Sequence, residues 1–144
     1  MIRYVAAFVC LLFVITACTE QSVEGVNAEN AYAYPTSKVQ TNGAVFMTLK
    51  NSTDQEIKVI SATGDIAERI ELHTHIMDGD IMMMREVDGY DIPANDEITL
   101  EPTGHHIMLM GLREQLVAGQ SFPLNLKTNS GTDIAVTVTI GSGE

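Results

Sequence analysis

Short runs of alternating apolar and polar residues, separated by turn-forming residues, are the feature that most constrains this chain. Strands place successive side chains on opposite faces, so this alternation predicts half-buried β-strands. Many short strands at this spacing predict an all-β fold, an antiparallel sandwich or barrel, with at most one helical turn at Leu112–Ala118. The predicted strands are Ala44–Lys50, Ile57–Ser61, Arg69–Met77, Ile81–Val87, Glu97–Leu100, His105–Leu112, Phe122–Thr128 and Thr132–Ile140.

The N-terminus has the features of a secretory signal peptide. A short basic start precedes an apolar run, Tyr4 to Ile15, that is too short to span a bilayer as a stable helix. The run ends in Ile15-Thr16-Ala17-Cys18, which resembles a bacterial lipobox, where the chain is cut before the cysteine and lipid joins its sulfur. The alternative is an ordinary signal peptide with an incidental cysteine. We predict a signal peptide over residues 1–17, lipidated Cys18 with a flexible linker over 18–30, and one domain over 31–144.

Cysteine content and charge narrow the classes of function. The two cysteines are Cys10, inside the signal peptide, and Cys18, so the exported domain has no free thiol and no disulfide. The net charge of −11 disfavours binding to nucleic acid or anionic lipid and favours binding to cations or a basic partner. Solubility is the simpler explanation for most of this negative charge. The sequence contains no nucleophile–base motif, paired-acid signature or phosphate loop, so we expect no enzymatic activity.

Histidine and methionine are concentrated in the middle of the chain. All four histidines lie between residues 73 and 106, and six of the eight methionines lie between residues 77 and 110. Four of these residues form the pattern His-x10-Met-x21-His-x-Met: His73, Met84, His106 and Met108. Imidazoles and thioethers are soft, neutral donors that suit Cu(I) better than zinc, calcium or magnesium. Core packing is the usual role of a methionine run, but the concentration and the spacing together favour a Cu(I) site.

Strand alternation places these donors on common faces. His106, Met108 and Met110 share one face of their predicted strand, while His105, Ile107 and Leu109 share the other. In the strand Arg69–Met77, the donors His73, His75 and Met77 likewise share one face. In each of these two segments, all the soft donors except His105 therefore lie on one face of the strand.

A hairpin is predicted to bring further donors together. Asp78-Gly79 is a favoured two-residue loop. With this loop the opposed pairs are Met77 with Asp80, His75 with Met82 and His73 with Met84. Opposed residues have Cβ atoms about 4.5–5.5 Å apart, so an imidazole and a thioether could reach one ion. A longer loop would shift the pairing, and a one-residue slip would place Met83 opposite His73.

The chain resembles the periplasmic copper chaperones of the PCuAC type from about Ala44 to Ile140. The resemblance rests on Glu71-Leu72-His73, Met84-Arg85-Glu86-Val87, Ile92-Pro93-Ala94 and His106-Ile107-Met108-Leu109-Met110-Gly111-Leu112. It implies a cupredoxin-like, Greek-key β-sandwich that binds one Cu(I) near its surface through His73, Met84, His106 and Met108. It also implies copper delivery toward the binuclear copper site of cytochrome c oxidase. The chain departs from some members because its tail, Gly141-Ser142-Gly143-Glu144, has no histidine or methionine, and because a lipid anchor is not universal in the family.

Several donors lie outside the four-residue motif. We assign His75, Met82 and Met110 outer-sphere or auxiliary metal-binding roles and Met83 a packing role. Three roles remain open for Met77 and His105: an outer-sphere role, transient docking of incoming copper, and packing.

The function predicted from these residues is carriage of Cu(I) by ligand exchange to an acceptor protein. The protein would be exported and held by lipid on a bacterial membrane, facing the periplasm or the cell exterior. Three alternatives are an electron-transfer cupredoxin, a copper-buffering or resistance lipoprotein, and a non-metal β-sandwich that binds protein. The electron-transfer cupredoxin is disfavoured because blue-copper sites use a cysteine ligand, and the exported domain has no free thiol.

Overall fold

Ten β-strands form the fold in the computed structural model, which describes residues 25–143. The predicted signal peptide and the predicted lipidation site Cys18 lie outside the described residues. No helix that could cross a membrane occurs within residues 25–143. The strands are β1 (Val26–Ala33), β2 (Asn42–Asn51), β3 (Ile57–Thr63), β4 (Ala67–Asp78), β5 (Ile81–Glu86), β6 (Tyr90–Ile92), β7 (Glu97–Leu100), β8 (His106–Leu112), β9 (Ser121–Thr128) and β10 (Asp133–Ile140).

The strands pair in the order β5-β4-β8-β2-β1-β10-β9-β3-β6, with β7 also paired to β2. Strand β1 joins the two halves of the sandwich, since it pairs with β2 on one side and β10 on the other. One buried core contains residues of both halves, such as Leu72 and Ile107 from the first and Leu126 and Val138 from the second. The all-β prediction is confirmed. Among the pairings described, β1 with β10 is parallel, whereas the sequence predicted antiparallel pairing only.

The sequence missed two strands. Residues 18–30 were predicted to be a linker, but β1 begins at Val26, so this prediction is wrong for residues 26–30. The segment is polar, and it becomes a strand because β2 supplies backbone hydrogen bonds while Val26 and Ala33 are buried at its two ends. The three-residue β6 was also missed because it is too short for a periodic signal. The helical turn predicted at Leu112–Ala118 is absent; the segment ends β8 and continues as irregular chain.

The β4–β5 hairpin has a different register from the predicted one. Its loop is Gly79-Asp80, which places Met84 opposite His75 and Glu86 opposite His73. A two-residue Asp-Gly loop favours a type I′ turn, which needs positive φ at both residues. Here Gly79 has a φ of 63° and Asp80 is not in the positive region, which is the type II′ pattern with glycine first. The predicted His73–Met84 pairing is therefore wrong, but a shift of two residues keeps every side chain on its predicted face.

The alternation predicted for β8 agrees with the structure. Ile107 and Leu109 are completely buried in the core. His106 and Met108 therefore lie on the opposite, outer face of the sheet formed by β5, β4, β8 and β2. In β4, the core side is occupied by Leu72, and His73 shares the outer face with His106 as its cross-strand partner. The outer face of this sheet thus carries the predicted donors.

Candidate metal site

His73 and His106 lie directly opposite each other on β4 and β8. Their ring centroids are 5.8 Å apart, and the two residues are only 9% and 2% exposed. Buried polar side chains normally have hydrogen-bond partners. A buried ring nitrogen without a hydrogen-bond partner would therefore be a candidate metal ligand.

Each of the two imidazoles has one nitrogen engaged and one without a partner. The Nε2 atom of His73 is 2.9 Å from Oε2 of Glu71, and Nδ1 of His106 is 3.1 Å from the carbonyl oxygen of Gly104. Because a carboxylate and a carbonyl only accept hydrogen bonds, each engaged nitrogen must carry the proton. The other nitrogens, Nδ1 of His73 and Nε2 of His106, are buried without a partner and hold lone pairs. Ligating histidines characteristically donate their second N–H in this way.

Met84 and Met108 line one shallow cavity of about 320 Å³ on this outer face. Gly43 and Ala44 form part of its wall, and Ala44 is the cross-strand neighbour of Met108. The small side chain of Ala44 leaves room around the thioether of Met108. Met84 is 44% exposed, so one predicted donor faces solvent. The structure thus places the two histidines side by side and the two methionines around one cavity.

Tyr90 supports the histidine pair from beneath the sheet. Its hydroxyl oxygen accepts a hydrogen bond from the backbone N–H of His73 at 3.0 Å. The same hydroxyl donates toward the carbonyl oxygens of His73 and His106. Burial raises the pKa of Tyr90 well above its ordinary value, so the hydroxyl stays protonated. Tyr90 was not predicted from the sequence; the only signal was that a buried tyrosine needs a partner for its hydroxyl.

Glu71 belongs to the sequence motif Glu71-Leu72-His73, which predicted no role for its carboxylate. The structure supplies one. Its carboxylate links His73 to Arg69, whose Nη2 lies 3.4 Å from Oε1 of Glu71. It shares the outer face with His73 because residues two apart in a strand point the same way. Glu71 therefore orients the ring of His73 and selects its tautomer.

The remaining predicted donors occupy different surroundings. His75 lies opposite Met84, its ring centroid is 5.0 Å from that of His106, and its Nδ1 is buried without a partner. The sulfur of Met110 instead lies 2.9 Å from Nη2 of Arg69, a cationic neighbour that disfavours a bound metal ion. Of the other donors, His105 packs against Tyr90 on the core side, with the two ring centroids 4.8 Å apart.

Within residues 25–143, no three His, Cys, Asp or Glu side chains are grouped so that they could hold a metal ion. Zinc and the hard cations are bound by such groups. Imidazole nitrogens and thioether sulfurs are soft, neutral donors, and a set of this kind suits Cu(I).

The titration of His106 provides a first prediction. Burial lowers its pKa, the Gly104 carbonyl opposes the shift, and His75, His73 and His105 lower the pKa further. In the metal-free protein, we expect His106 to remain neutral at about pH 6.5, where an unperturbed histidine is half protonated. As the pH falls, the unfolded chain then takes up this proton before the folded chain does, so the free energy of unfolding decreases below about pH 6.5.

Ring-proton NMR of the metal-free protein measures this pKa directly, and denaturant unfolding at several pH values measures the stability. A His106 pKa at or above the ordinary value would contradict the prediction.

Comparison with known proteins finds relatives in sequence and in structure. Residues 26–140 match the family described as "Putative lipoprotein LpqE-like". The "Putative lipoprotein Lxx21020" of Leifsonia xyli subsp. xyli is 31% identical over 121 residues, covering 83% of this chain and 72% of that protein. The solution structure of CuI-DR1885 from Deinococcus radiodurans is 30% identical, with a TM-score of 0.67 and coverage of 85% of this chain and 82% of that one.

A further match concerns the fold. The copper-bound PCuAC domain from PmoF2 has a TM-score of 0.69 at 15% identity, covering 81% of this chain and 92% of that domain. This match confirms the cupredoxin-like β-sandwich.

Proposed function

Since the chain belongs to the LpqE-like lipoprotein family and is a PCuAC-type domain, we propose that it is an extracytoplasmic copper chaperone. It binds one Cu(I) ion as cargo through His73, Met84, His106 and Met108. The observation that carries the proposal is the pair of buried lone pairs on Nδ1 of His73 and Nε2 of His106. They lie on the sheet face that also carries Met84 and Met108, which line one cavity. The copper reported in the related CuI-DR1885 structure supports the same choice of metal.

The chemistry of transfer follows from these donors. Two imidazoles and two thioethers are neutral, so they leave the charge of Cu(I) uncompensated and hold the ion less firmly than thiolates do. The exposed Met84 is the ligand that a partner can displace first. A partner with thiolate or imidazole donors then takes the ion by successive ligand exchange, and copper remains Cu(I) throughout.

The site also fits an oxidising compartment. No cysteine follows Cys18, so the domain cannot lose its copper ligands to disulfide formation. We propose that residues 1–17 direct export, that lipid on Cys18 anchors the chain to a bacterial membrane, and that the acceptor serves cytochrome c oxidase assembly. The net charge of −11 favours an acceptor with a basic docking surface.

The test is an anaerobic competition titration of residues 19–144 with Cu(I) and a chromogenic chelator. This segment contains the whole described core, which runs from Val26 to Ile140. We expect one tightly bound Cu(I) per chain. A domain that cannot compete with the chelator would exclude the copper function and leave a protein-binding β-sandwich. Transfer of bound Cu(I) to candidate acceptors then separates a chaperone from a copper-buffering lipoprotein.

Removing the carboxylate behind His73 provides a second prediction. We expect Glu71→Ala to lower Cu(I) affinity by about 10–100-fold, the usual effect of losing a partner that orients a ligating histidine. Glu71→Gln retains a hydrogen-bond acceptor and is expected to lose less.

Glu97→Ala is the matched control for Glu71→Ala. It removes one exposed carboxylate on β7, which pairs with the end of β2 remote from Ala44. Equal losses of affinity in the two alanine variants would indicate a general charge effect and exclude the orienting role of Glu71.

A further inference from the structure

The β4–β5 hairpin carries soft donors beyond the proposed four-ligand site. On its outer face, cross-strand pairs follow one another from the loop inward: Met77 with Met82, His75 with Met84, and His73 with Glu86. Successive pairs on one face are about 6.6–6.8 Å apart along the strands. A row of sulfur and imidazole donors therefore leads from the hairpin tip to the buried histidines.

Exposure decreases along this row. Met77 and Met82 are 61% and 55% exposed, Met84 is 44% exposed, and His73 is only 9% exposed. Methionines in a β-sandwich are ordinarily gap-filling core residues. That explanation fails for Met77 and Met82, because most of their surface faces solvent.

His75 lies between the hairpin tip, which carries Met77 and Met82, and the proposed four-ligand site, here called the inner site. Its Nδ1 is buried and has no hydrogen-bond partner, although buried polar atoms normally have one. Its ring lies closer to His106 than the ring of His73 does, with centroids at 5.0 Å against 5.8 Å. The imidazole thus lies between the exposed thioethers and the proposed copper ligands.

We propose that Met77, Met82 and His75 form an outer Cu(I) station through which the ion enters and leaves the inner site. This inference rests on the proposed copper function and adds a second site to it. The opposed Met77 and Met82 have Cβ atoms about 4.5–5.5 Å apart, within the reach of two flexible thioethers for one ion. Inward movement is ligand substitution only: His75 keeps its bond to the ion while Met84 replaces the outer thioethers, and the ion stays Cu(I).

Stopped-flow kinetics of Cu(I) loading and of Cu(I) removal by a chelator test the proposal. Met77→Leu/Met82→Leu keeps the apolar surface and removes both sulfurs. We expect it to slow loading and removal alike, by about tenfold or more, while the equilibrium affinity stays close to that of the wild type. His75→Leu is expected to slow both rates as well.

Two controls separate sulfur chemistry from other effects. Met83→Leu removes a sulfur from the opposite face of β5 and is expected to leave both rates unchanged. Ile76→Ser/Ile81→Ser removes exposed apolar surface at the tip without touching sulfur. If only the serine variant impairs transfer to an acceptor protein, the tip is a protein-docking surface and the outer station is excluded.

A direct probe is methyl NMR with Cu(I) added beyond one equivalent. The methyl signals of Met77 and Met82 are expected to shift, while that of Met47, which is 1% exposed in the core, stays fixed. Unchanged tip signals and unchanged rates in a wild type that binds Cu(I) would overturn the outer station alone. A wild type that binds no Cu(I) would overturn the copper function itself.

Discussion

The double substitution His106→Ala/Met108→Ala is expected to remove tight Cu(I) binding. His106 supplies the buried Nε2 lone pair and Met108 supplies a thioether from the same face of β8. Losing two donors should lower affinity by more than the roughly 10–100-fold that follows loss of a ligand's hydrogen-bond partner. The anaerobic chelator competition measures this effect.

The controls for this prediction separate ligation from folding. His106 is 2% exposed, so its replacement leaves a small cavity, and thermal unfolding must show that the variant remains folded. Met108→Leu alone conserves side-chain volume and removes only the sulfur. A folded double variant that competes with the chelator as well as the wild type would exclude the proposed ligand set.

Tyr90→Phe is expected to destabilise the protein and weaken the metal site together. The change leaves the N–H of His73 and the carbonyl of His106 without their buried partner. Leaving buried hydrogen-bonding groups unsatisfied costs about 1–3 kcal/mol, so the free energy of unfolding should fall by that amount. Denaturant unfolding measures the fall. The chelator titration should show a loss of Cu(I) affinity because the hydroxyl no longer braces the backbones of the two paired histidines.

Tyr34→Phe is the matched control for this change. Tyr34 is 50% exposed, so its replacement leaves no fully buried group unsatisfied and should change stability by less than about 0.5 kcal/mol. Equal destabilisation by the two substitutions would show that the hydroxyl of Tyr90 does not support the histidine pair.

Local periodicity predicted the faces of the site strands correctly. The period of two in β8 separates the core residues Ile107 and Leu109 from His106 and Met108, and the structure has this arrangement. The hairpin register was wrong, because it depends on which residue adopts positive φ, and the pair Asp78-Gly79 does not determine that. The faces remained correct because the register differs by two residues, which preserves alternation.

Other features carried no recognisable local signal. The first part of β1, residues 26–30, was predicted as linker because the segment from Thr19 to Asn30 is polar and lacks periodicity. The strand forms through pairing with β2. Tyr90 lies on a three-residue strand in the other half of the sandwich, and only the packing of the two halves brings its hydroxyl to His73 and His106. The function of Glu71 likewise depends on the orientation of the ring of His73.

The sequence by itself determined the all-β class, the donor types and the face on which most donors lie. These properties follow from side-chain chemistry and from the alternation of a single strand. Tertiary structure decided which donors meet, because β4 and β8 become neighbours only through pairing of segments distant in sequence. It also decided which imidazole nitrogens are free, since Glu71 and the Gly104 carbonyl occupy the others.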